Sequence, residues 1–216
     1  MTQAAARLRE WREAGRIVVH ERDTKALLAD LGIALPRQDP AEGPCAVKIA
    51  SDLFPHKTEH GLLRLGVPAA EAGAVAAELA ARCPSGTPLI EEMVADGVAE
   101  WIIGCRHDAT FGPIVVIGAG GILVELLDEA KVRLAPADVA TVRHAITTQH
   151  GARMLAGLRG GPAGDANALA AMAARLSNFF AAHSNVIAEI ELNPVIVRPA
   201  GKGAVAADAL MTLRPL

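Results

Sequence analysis

The middle of the chain, from residue 88 to residue 134, is the feature that most restricts the fold. Short apolar segments rich in Val and Ile recur there, and only a few residues connect one to the next. Parallel strands need a crossover of a dozen or more residues, so these segments must pair as antiparallel strands. Helical patterns flank them on both sides. The sequence therefore predicts an α+β protein with mostly antiparallel sheets and helices on one side of them.

The residue pattern also sets approximate bounds for the elements. Helices are expected over residues 3–14, 21–31, 68–82, 137–149 and 165–183. Strands are expected over residues 45–50, 62–67, 88–94, 100–106, 113–117, 122–126, 131–134, 186–197 and 203–211. Residues 36–44 are rich in Pro and Gly and form a loop by composition.

Composition excludes several classes of protein. The 216 residues carry a formal net charge of −3, and only 3% of them are aromatic, whereas nucleic-acid binding needs a basic surface and stacking platforms. The longest charge-free stretch, residues 111–124, is too short to cross a bilayer. Arg7, Arg9 and Glu10 lie in the first eleven residues, so no signal peptide is expected there, and three widely spaced cysteines are typical of reduced thiols. We therefore expect a cytoplasmic protein without nucleic-acid or membrane partners.

Three oxygen-bearing side chains are expected close together in the C-terminal hairpin. If its turn is centred between Ala200 and Gly201, Asn193 lies directly opposite Asp208, about 5 Å away. Glu191 shares the face of Asn193 because side chains alternate along a strand. Such oxygens suit Mg²⁺, which takes one or two of them and completes its shell with phosphate and water. An equal alternative is that Asn193 only ends a strand before Pro194 and that Asp208 is solvated.

A lysine interrupts the buried-looking strand at residues 45–50. An unpaired ammonium is expensive to bury. Lys48 therefore either reaches solvent from an edge strand or faces a cleft that holds an anion such as a nucleotide phosphate. Taken alone, the motif favours the edge strand.

Carboxylates stand where one predicted strand ends and the next begins. Glu92 closes the first strand and Glu100 opens the second, a junction that can serve as a hinge between two lobes. There they can accept hydrogen bonds from ribose hydroxyls or an adenine amino group. A solvated turn is the simpler interpretation of this segment by itself.

The glycines at residues 118–121 do not form a dinucleotide-binding loop. The last glycine of that spacing would fall at Leu123, and a strand-like segment follows. The segment is instead a tight turn whose backbone can approach a phosphate or a partner closely.

Residues 56–60 match the H-x-x-E-H zinc pattern only formally. That chemistry needs a helix, and here Pro55 and Gly61 bracket five residues. A loop that presents His56 beside Lys57 is more consistent with the sequence. A neutral imidazole can accept a phosphoryl group, and a neighbouring cation stabilises the transferred charge. The alternative is an ordinary surface histidine.

Taken in order, these motifs resemble the ATP-grasp β subunit or domain of the NDP-forming acyl-CoA synthetases. This family includes ADP-forming acetyl-CoA synthetase and is related to succinyl-CoA synthetase. The resemblance extends over nearly the whole chain from about residue 17, and the order of the segments makes it specific. The matching segments are residues 31–33, the strand around Lys48, residues 56–58, 92–94, 100–104, 108–113, 118–125, 133–136, 157–160 and 191–194, and Asp208.

The resemblance implies an ATP-grasp fold with two α+β lobes and a nucleotide cleft between them. Residues 1–216 would form one such unit, with N-terminal helices over 1–35, an N-terminal lobe over 36–98 and a C-terminal lobe over 99–216. The implied reaction converts acyl-CoA, ADP and phosphate into the free acid, CoA and ATP. An acyl phosphate forms first, and its phosphoryl group passes to a histidine of a CoA-binding α subunit and then to a histidine of the β subunit.

The resemblance also assigns roles to individual residues. His56 matches the mobile-loop histidine that carries the phosphoryl group to the nucleotide, with Lys57 beside it, and Lys48 matches the phosphate-binding lysine. The adenosine site corresponds to Glu92, Met93, Val94 and Glu100. Asn193 and Asp208 match the Mg²⁺ ligands. Glu191 is expected among the catalytic residues with His56 and Lys57, as a carboxylate that either supports the metal ligands or lies at the phosphate site. ATP or ADP and Mg²⁺ are thus the implied cofactors.

The chain departs from the family pattern in three places. The stretch before Lys48 is shorter and lacks a helix, Leu62 replaces the second glycine after the histidine loop, and Ala109 replaces a proline. No CoA-binding segment is present in the sequence, so an α-type CoA-binding subunit or domain with its own phosphohistidine is the implied partner, in a hetero-oligomer.

Three alternatives remain open from the sequence. The first is a stand-alone ATP-grasp ligase that joins a carboxylate to an amine or a thiol, the second a non-catalytic regulatory subunit, and the third a zinc hydrolase built on His56 and His60.

Overall fold

Two antiparallel sheets organise the chain. A computed structural model describes residues 3–51, 60–121, 129–157 and 160–216. Within these ranges the strands form a 7-stranded sheet and a 3-stranded sheet, and neighbouring strands in both are antiparallel. The sequence-based prediction of an antiparallel α+β architecture is therefore confirmed.

Most elements lie within a few residues of their predicted bounds. The helices are α1 Gln3–Glu13, α2 Glu21–Asp30, α3 Ala69–Arg82, α4 Val139–Thr147, α5 Ala152–Leu155 and α6 Ala166–His183. The strands are β1 Val18–Val19, β2 Pro44–Ala50, β3 Leu63–Pro68, β4 Thr87–Glu92, β5 Ala99–Asp108, β6 Gly112–Ala119, β7 Ala130–Leu134, β8 Ile187–Val197, β9 Ala204–Ala206 and β10 Ala209–Leu213. The predicted strand over 122–126 lies outside the described residues.

The observed elements differ from the predicted ones in three places. Strand β1 and helix α5 are too short to give a periodic pattern, and neither was predicted. The predicted return strand over 203–211 is interrupted at Ala207 and Asp208, which separate β9 from β10. This interruption occurs at the position where the sequence places a metal ligand.

The large lobe is built on the 7-stranded sheet, whose strand order is β1-β10-β8-β5-β6-β7 with β9 also paired to β8. Alternate residues of β5 (Trp101, Ile103 and Cys105) are fully buried on one face of this sheet. Helix α6 covers that face with an apolar stripe that includes Leu169 and Leu176. Helix α6 begins where the Asp165 side chain accepts a hydrogen bond from the Ala168 amide.

The small lobe is the 3-stranded sheet with helix α3 packed on it. The strand order is β3-β2-β4, so β2 is the central strand. Val47, Ile49 and Leu79 form part of the core between sheet and helix. Lys48 therefore lies in a central strand, and the edge-strand interpretation of this lysine is wrong. Residues 36–43 contain no helix, as the short sequence there predicts.

The N-terminal segment packs with the large lobe. Val18 and Val19 of β1 pair with Thr212 and Met211 of β10. Side chains of α1 and α2 that belong to the large-lobe core include Leu8, Trp11, Leu27 and Leu28. Residues 3–30 are thus integrated into the larger of the two units.

The chain crosses between the lobes twice, between α2 and β2 and again between β4 and β5. Strand β4 ends the small sheet at Glu92 and β5 enters the large sheet at Ala99, so residues 93–98 pass from one lobe to the other. Arg198 of the large lobe anchors this connector through two hydrogen bonds of 2.8 Å to Asp96. The junction that the sequence predicts as a hinge does connect the two sheets.

Candidate functional site

A cleft of about 480 Å³ lies between the lobes, a volume in the usual range for small-molecule sites. The structure describes eight of the ten residues to which the sequence assigns a site role, and all eight line this cleft. They are Lys48, Glu92, Met93, Val94, Glu100, Glu191, Asn193 and Asp208. His56 and Lys57 lie outside the described residues.

The register of the C-terminal hairpin brings Asn193 and Asp208 together. Leu192 pairs with Ala209, which places positions 193 and 208 directly opposite each other. The Asn193 amide donates a hydrogen bond of 3.2 Å to the Asp208 carbonyl oxygen. The predicted turn position, and with it this juxtaposition, is confirmed.

The hairpin presents amide and carboxylate oxygens to the cleft. Asn193 is exposed, and its side-chain amide donates to Glu191 Oε1 over 3.1 Å. That hydrogen bond leaves the side-chain carbonyl of Asn193 as its remaining oxygen acceptor. The half-buried Asp208 carboxylate accepts from the Ala209 amide over 2.7 Å through Oδ1. A hard cation that also binds phosphate oxygens fits this donor set.

Lys48 reaches the back of the cleft, where it is already paired. Its ammonium lies 2.6 Å from Glu21 Oε1 and 2.9 Å from Glu91 Oε2. It also donates a hydrogen bond of 2.8 Å to the Ala207 carbonyl oxygen. Only 4% of Lys48 and 1% of Glu91 are exposed to solvent. The predicted phosphate-binding lysine is therefore part of a buried charge cluster.

A second lysine completes this cluster. The Lys25 ammonium donates to both Glu91 oxygens over 2.6 and 2.7 Å and to the Ala207 carbonyl over 2.7 Å. It also lies 3.0 Å from Glu21 Oε1, one helical turn away on α2. We call Glu21, Lys25, Lys48 and Glu91 the charge cluster. Its two ammonium groups balance its two carboxylates, which is what burial of ions requires.

The pKa values of the two lysines move in opposite directions. Burial disfavours the charged form of Lys48, but the carboxylates of Glu21, Asp208 and Glu91 outweigh it and hold the pKa above the ordinary lysine value. For Lys25, burial lowers the pKa, and the nearby Lys48 charge acts in the same direction. Asp208 thus interacts with Lys48 across the junction where β9 ends.

Glu92, the last residue of β4 before the connector, lines the cleft. Arg37 holds it through its side chain over 2.5 Å and its backbone amide over 3.1 Å. Burial raises the pKa of Glu92, but the Arg37 hydrogen bonds dominate and bring it below the ordinary range. Arg37 belongs to the shortened segment before β2, so this loop supports the cleft wall without a helix.

Gly120 and Gly121 directly follow β6, and Gly120 lies close to the backbone of β5. The Gly120 amide donates a hydrogen bond of 2.7 Å to the Glu100 carbonyl oxygen. A Cβ atom at Gly120 would lie 3.0 Å from the backbone atoms Glu100 C and Trp101 N. Close packing against β5 therefore explains this glycine, and the exposed Glu100 carboxylate remains on the cleft side.

Apolar side chains also line the cleft. They are Met93 and Val94 of the connector, Ile196 of β8, and Leu63 and Leu65 of β3. Leu65 is 58% exposed, an unusual exposure for a large apolar side chain in a strand. A cleft lined by both apolar side chains and charged groups suits a ligand with a flat base and an ionised tail.

Sequence reasoning missed Glu21, Lys25 and Glu91. A helix with many charged residues normally presents them to solvent, so α2 gave no reason to bury two of them. A signal was present, because Glu21, Lys25 and Leu28 share one helical face at the i, i+4, i+7 spacing. Glu91 directly precedes Glu92 and points to the opposite face of β4, into the cluster.

Two negative findings apply to the described ranges. These residues contain no group of three or more His, Cys, Asp or Glu side chains arranged to hold a metal ion. No helix among them is long and apolar enough to span a membrane.

Comparison with known proteins identifies the family of this chain. The ATP-grasp domain family matches residues 10–213. A trans-feruloyl-CoA synthase from an unknown prokaryotic organism is 33% identical over 90% of this chain and 30% of its own length. The β subunit of the ADP-forming acetate–CoA ligase II of Pyrococcus furiosus is 29% identical over 93% of each chain. The chain thus spans under a third of the first relative and nearly all of the second.

Solved structures show the same fold. One is the dinucleotide-forming acetyl-coenzyme A synthetase 1 of Ca. Korarchaeum cryptofilum in complex with coenzyme A and Ca-AMPCP. It aligns with a TM-score of 0.86 and 27% identity over 98% of this chain and all of that chain. A second complex of that protein contains Mg-AMPPCP, with a phosphohistidine segment pointing towards the nucleotide binding site, and aligns with a TM-score of 0.84 at the same identity and coverage. Sequence, fold and cleft agree, and the chain belongs to the ATP-grasp domain family, with ADP-forming acetate–CoA ligases among its homologues.

Proposed function

We propose that this chain is the nucleotide-binding subunit of an NDP-forming acyl-CoA synthetase, which converts acyl-CoA, ADP and phosphate into the carboxylic acid, CoA and ATP. The convergence of the eight described site residues on one cleft between the lobes is the observation that carries this proposal. The near full-length similarity to a β subunit of an ADP-forming acetate–CoA ligase supports it.

In this proposal, different cleft residues bind different parts of the nucleotide. Glu92, Met93, Val94 and Glu100 form the connector end, where apolar walls and carboxylates suit adenine and ribose. Lys48 lies at the charged end, where its ammonium would bind the phosphates. Asn193 and Asp208 would hold Mg²⁺, with Glu191 orienting Asn193. When bound, Mg²⁺ supplies charge neutralisation of the phosphates.

His56 is the residue we assign to phosphoryl transfer, with Lys57 stabilising the transferred charge. In the synthesis direction the imidazole nitrogen of His56 gives its phosphoryl group to the terminal phosphate oxygen of ADP. The N–P bond breaks as the O–P bond of ATP forms, and the imidazole is left neutral. The K. cryptofilum structure with a phosphohistidine segment pointing towards its nucleotide site supports this assignment.

The proposed partner is an α-type CoA-binding subunit or domain, in a hetero-oligomer. Relatives of this chain are either named β subunits or are longer chains of which this one would span about a third. The partner would carry its own phosphohistidine and bind CoA and the acid. Three buried free cysteines accord with a cytoplasmic location.

Phosphorylation of the chain tests this function. Incubation with γ-phosphate-labelled ATP, Mg²⁺ and the CoA-binding product of a neighbouring gene should give an acid-labile label on the chain. His56→Ala should abolish this label, and His60→Ala, the matched substitution four residues on, should retain it. A label that survives in His56→Ala would refute the relay, and a stand-alone ligase would keep its activity in that variant.

The metal assignment has its own test. Asp208→Asn should raise the Mg²⁺ concentration needed for half-maximal labelling by about tenfold or more, because a neutral amide is a weaker ligand than a carboxylate. An unchanged Mg²⁺ dependence would remove Asp208 from the metal site.

A further inference from the structure

The two ammonium groups of the charge cluster share one set of acceptors. Lys25 and Lys48 both contact Glu21 Oε1, both contact the Glu91 carboxylate, and both donate to the Ala207 carbonyl oxygen. One ammonium has three N–H donors, so either lysine alone could partner all three groups. Hydrogen bonding alone therefore does not require the second lysine, although its charge balances the second carboxylate of the cluster.

Only one of the two lysines belongs to the cleft wall. Lys48 lines the cleft, and its pKa reflects the Asp208 carboxylate as well as the cluster. Lys25 comes from α2, is 1% exposed, and is not among the residues that line the cleft. A ligand in the cleft can therefore reach Lys48, while Lys25 lies behind it.

A phosphate in the cleft would compete for Lys48. The Lys48 ammonium already faces three protein groups, so it must turn at least one donor away from them to bind a phosphate oxygen. A carboxylate that loses its only cation in a buried site is strongly destabilised. In this cluster each acceptor that Lys48 releases still has Lys25 within 3.0 Å.

We propose that Lys25 is a positioning residue that keeps Glu21, Glu91 and the Ala207 carbonyl partnered while Lys48 exchanges between these groups and the nucleotide phosphates. This inference rests on the proposed function, in which Lys48 binds phosphate. By holding Ala207, Lys25 also fixes the backbone directly before Asp208, so the metal ligand keeps its place as Lys48 moves. Lys25 itself does not touch the nucleotide.

Removal of Lys25 should then affect phosphate binding in particular. Without it, Glu21 and Glu91 would retain Lys48 as their shared cation, and the cluster would carry an excess negative charge beside the phosphates. The adenosine part of the ligand, which binds at the connector end, would be unaffected. A purely structural role for Lys25 would instead weaken both parts of the ligand or neither.

Calorimetric titration of wild-type chain and Lys25→Met with Mg-ADP and, separately, with adenosine tests the proposal. We expect the affinity for Mg-ADP to fall by about tenfold or more, the equivalent of one charge-assisted hydrogen bond, with adenosine affinity unchanged. Lys202→Met, the same substitution on the exposed hairpin turn, should bind both ligands as wild type does. Equal loss for both ligands, or loss for neither, would overturn the positioning role.

A measurement on the wild-type protein covers the case in which Lys25→Met does not fold. The chain has only five lysines, so the side-chain nitrogen resonances of a lysine-labelled sample can be assigned by substitution. Saturating Mg-ADP should shift the Lys48 Nζ resonance strongly and leave Lys25 Nζ protected from solvent exchange. If Mg-ADP binds but the Lys48 resonance does not move, the proposal that Lys48 exchanges between the protein groups and the phosphates is overturned, and the proposed function is not. If the wild-type chain does not bind Mg-ADP at all, both the proposed function and this inference are overturned.

Discussion

Replacement of Glu91 by glutamine probes how much the charge cluster contributes to folding. Glu91 is 1% exposed, and its two oxygens lie 2.6 and 2.7 Å from the Lys25 ammonium and 2.9 Å from that of Lys48. Glu91→Gln preserves shape and one acceptor oxygen but leaves two buried ammonium groups with one carboxylate in the cluster. Removing one partner of a buried ion pair lowers the free energy of unfolding by about 3–5 kcal/mol. Because glutamine keeps one acceptor oxygen, we expect a loss of about 3 kcal/mol for this variant.

Urea unfolding followed by tryptophan fluorescence measures this effect. Trp101 is fully buried and Trp11 nearly so, both in the large-lobe core, so their emission reports unfolding. With a denaturant slope of about 2–3 kcal/mol per M, the loss should lower the urea midpoint by roughly 1–1.5 M. The comparison is made at pH 7, where both lysines are charged in the unfolded chain.

The matched control is Glu78→Gln, which breaks an exposed ion pair to Arg64 of similar length, 2.9 Å. Solvent screens that pair, so its urea midpoint should stay at the wild-type value. A Glu91→Gln midpoint as close to wild type as that of the control would refute the argument that burial makes this cluster important.

Three further predictions concern other parts of the fold. Asp165→Ala should destabilise the chain by about 1–2 kcal/mol at pH 6, because this carboxylate caps α6. The hydrogen bond from the Ala168 amide lowers the pKa of Asp165, so its contribution is present above the ordinary value near 3.9, and the difference from wild type should disappear as acid unfolding is followed below about pH 4. Gly120→Ala should cost about 1–3 kcal/mol in urea unfolding because its Cβ meets backbone, whereas Gly104→Ala, where a Cβ has open space, should not. Cys105 is fully buried and burial raises its pKa, so iodoacetamide should modify it only after unfolding, as peptide mass spectrometry would show; equal labelling of the folded chain would contradict this.

The antiparallel sheets and the hairpin register were predictable because both follow from short-range geometry. A turn centred at one place fixes every pair along the hairpin, and Asn193 and Asp208 followed directly from it. The connector was predictable for a similar reason, since Glu92 and Glu100 flank a break between two strand patterns.

The charge cluster was not predictable, because its members are close only in three dimensions. Lys25 and Glu91 are 66 positions apart in sequence and come from different lobes. Their pairing depends on how the two lobes meet, with Lys25 of α2 in the large lobe reaching Glu91 of β4 in the small sheet, and no local pattern specifies that contact. The sequence indicated that the Lys48 ammonium is buried, but it did not indicate which protein groups this ammonium contacts. Those groups were identified only from the structure.

The charge cluster also limits how one lobe could be exchanged for that of a related protein. Glu21 and Lys25 come from one lobe and Lys48 and Glu91 from the other. Excising residues 44–92 would leave one ion pair in each part but remove the contacts of Lys25 with Glu91 and of Lys48 with Glu21, so the buried charges of each part would lack half of their partners. A graft of this small sheet onto a foreign ATP-grasp scaffold would inherit the same deficit unless α2 travelled with it. Evolutionary or engineered recombination of this protein should therefore succeed only with breakpoints that keep these two distant stretches of chain together.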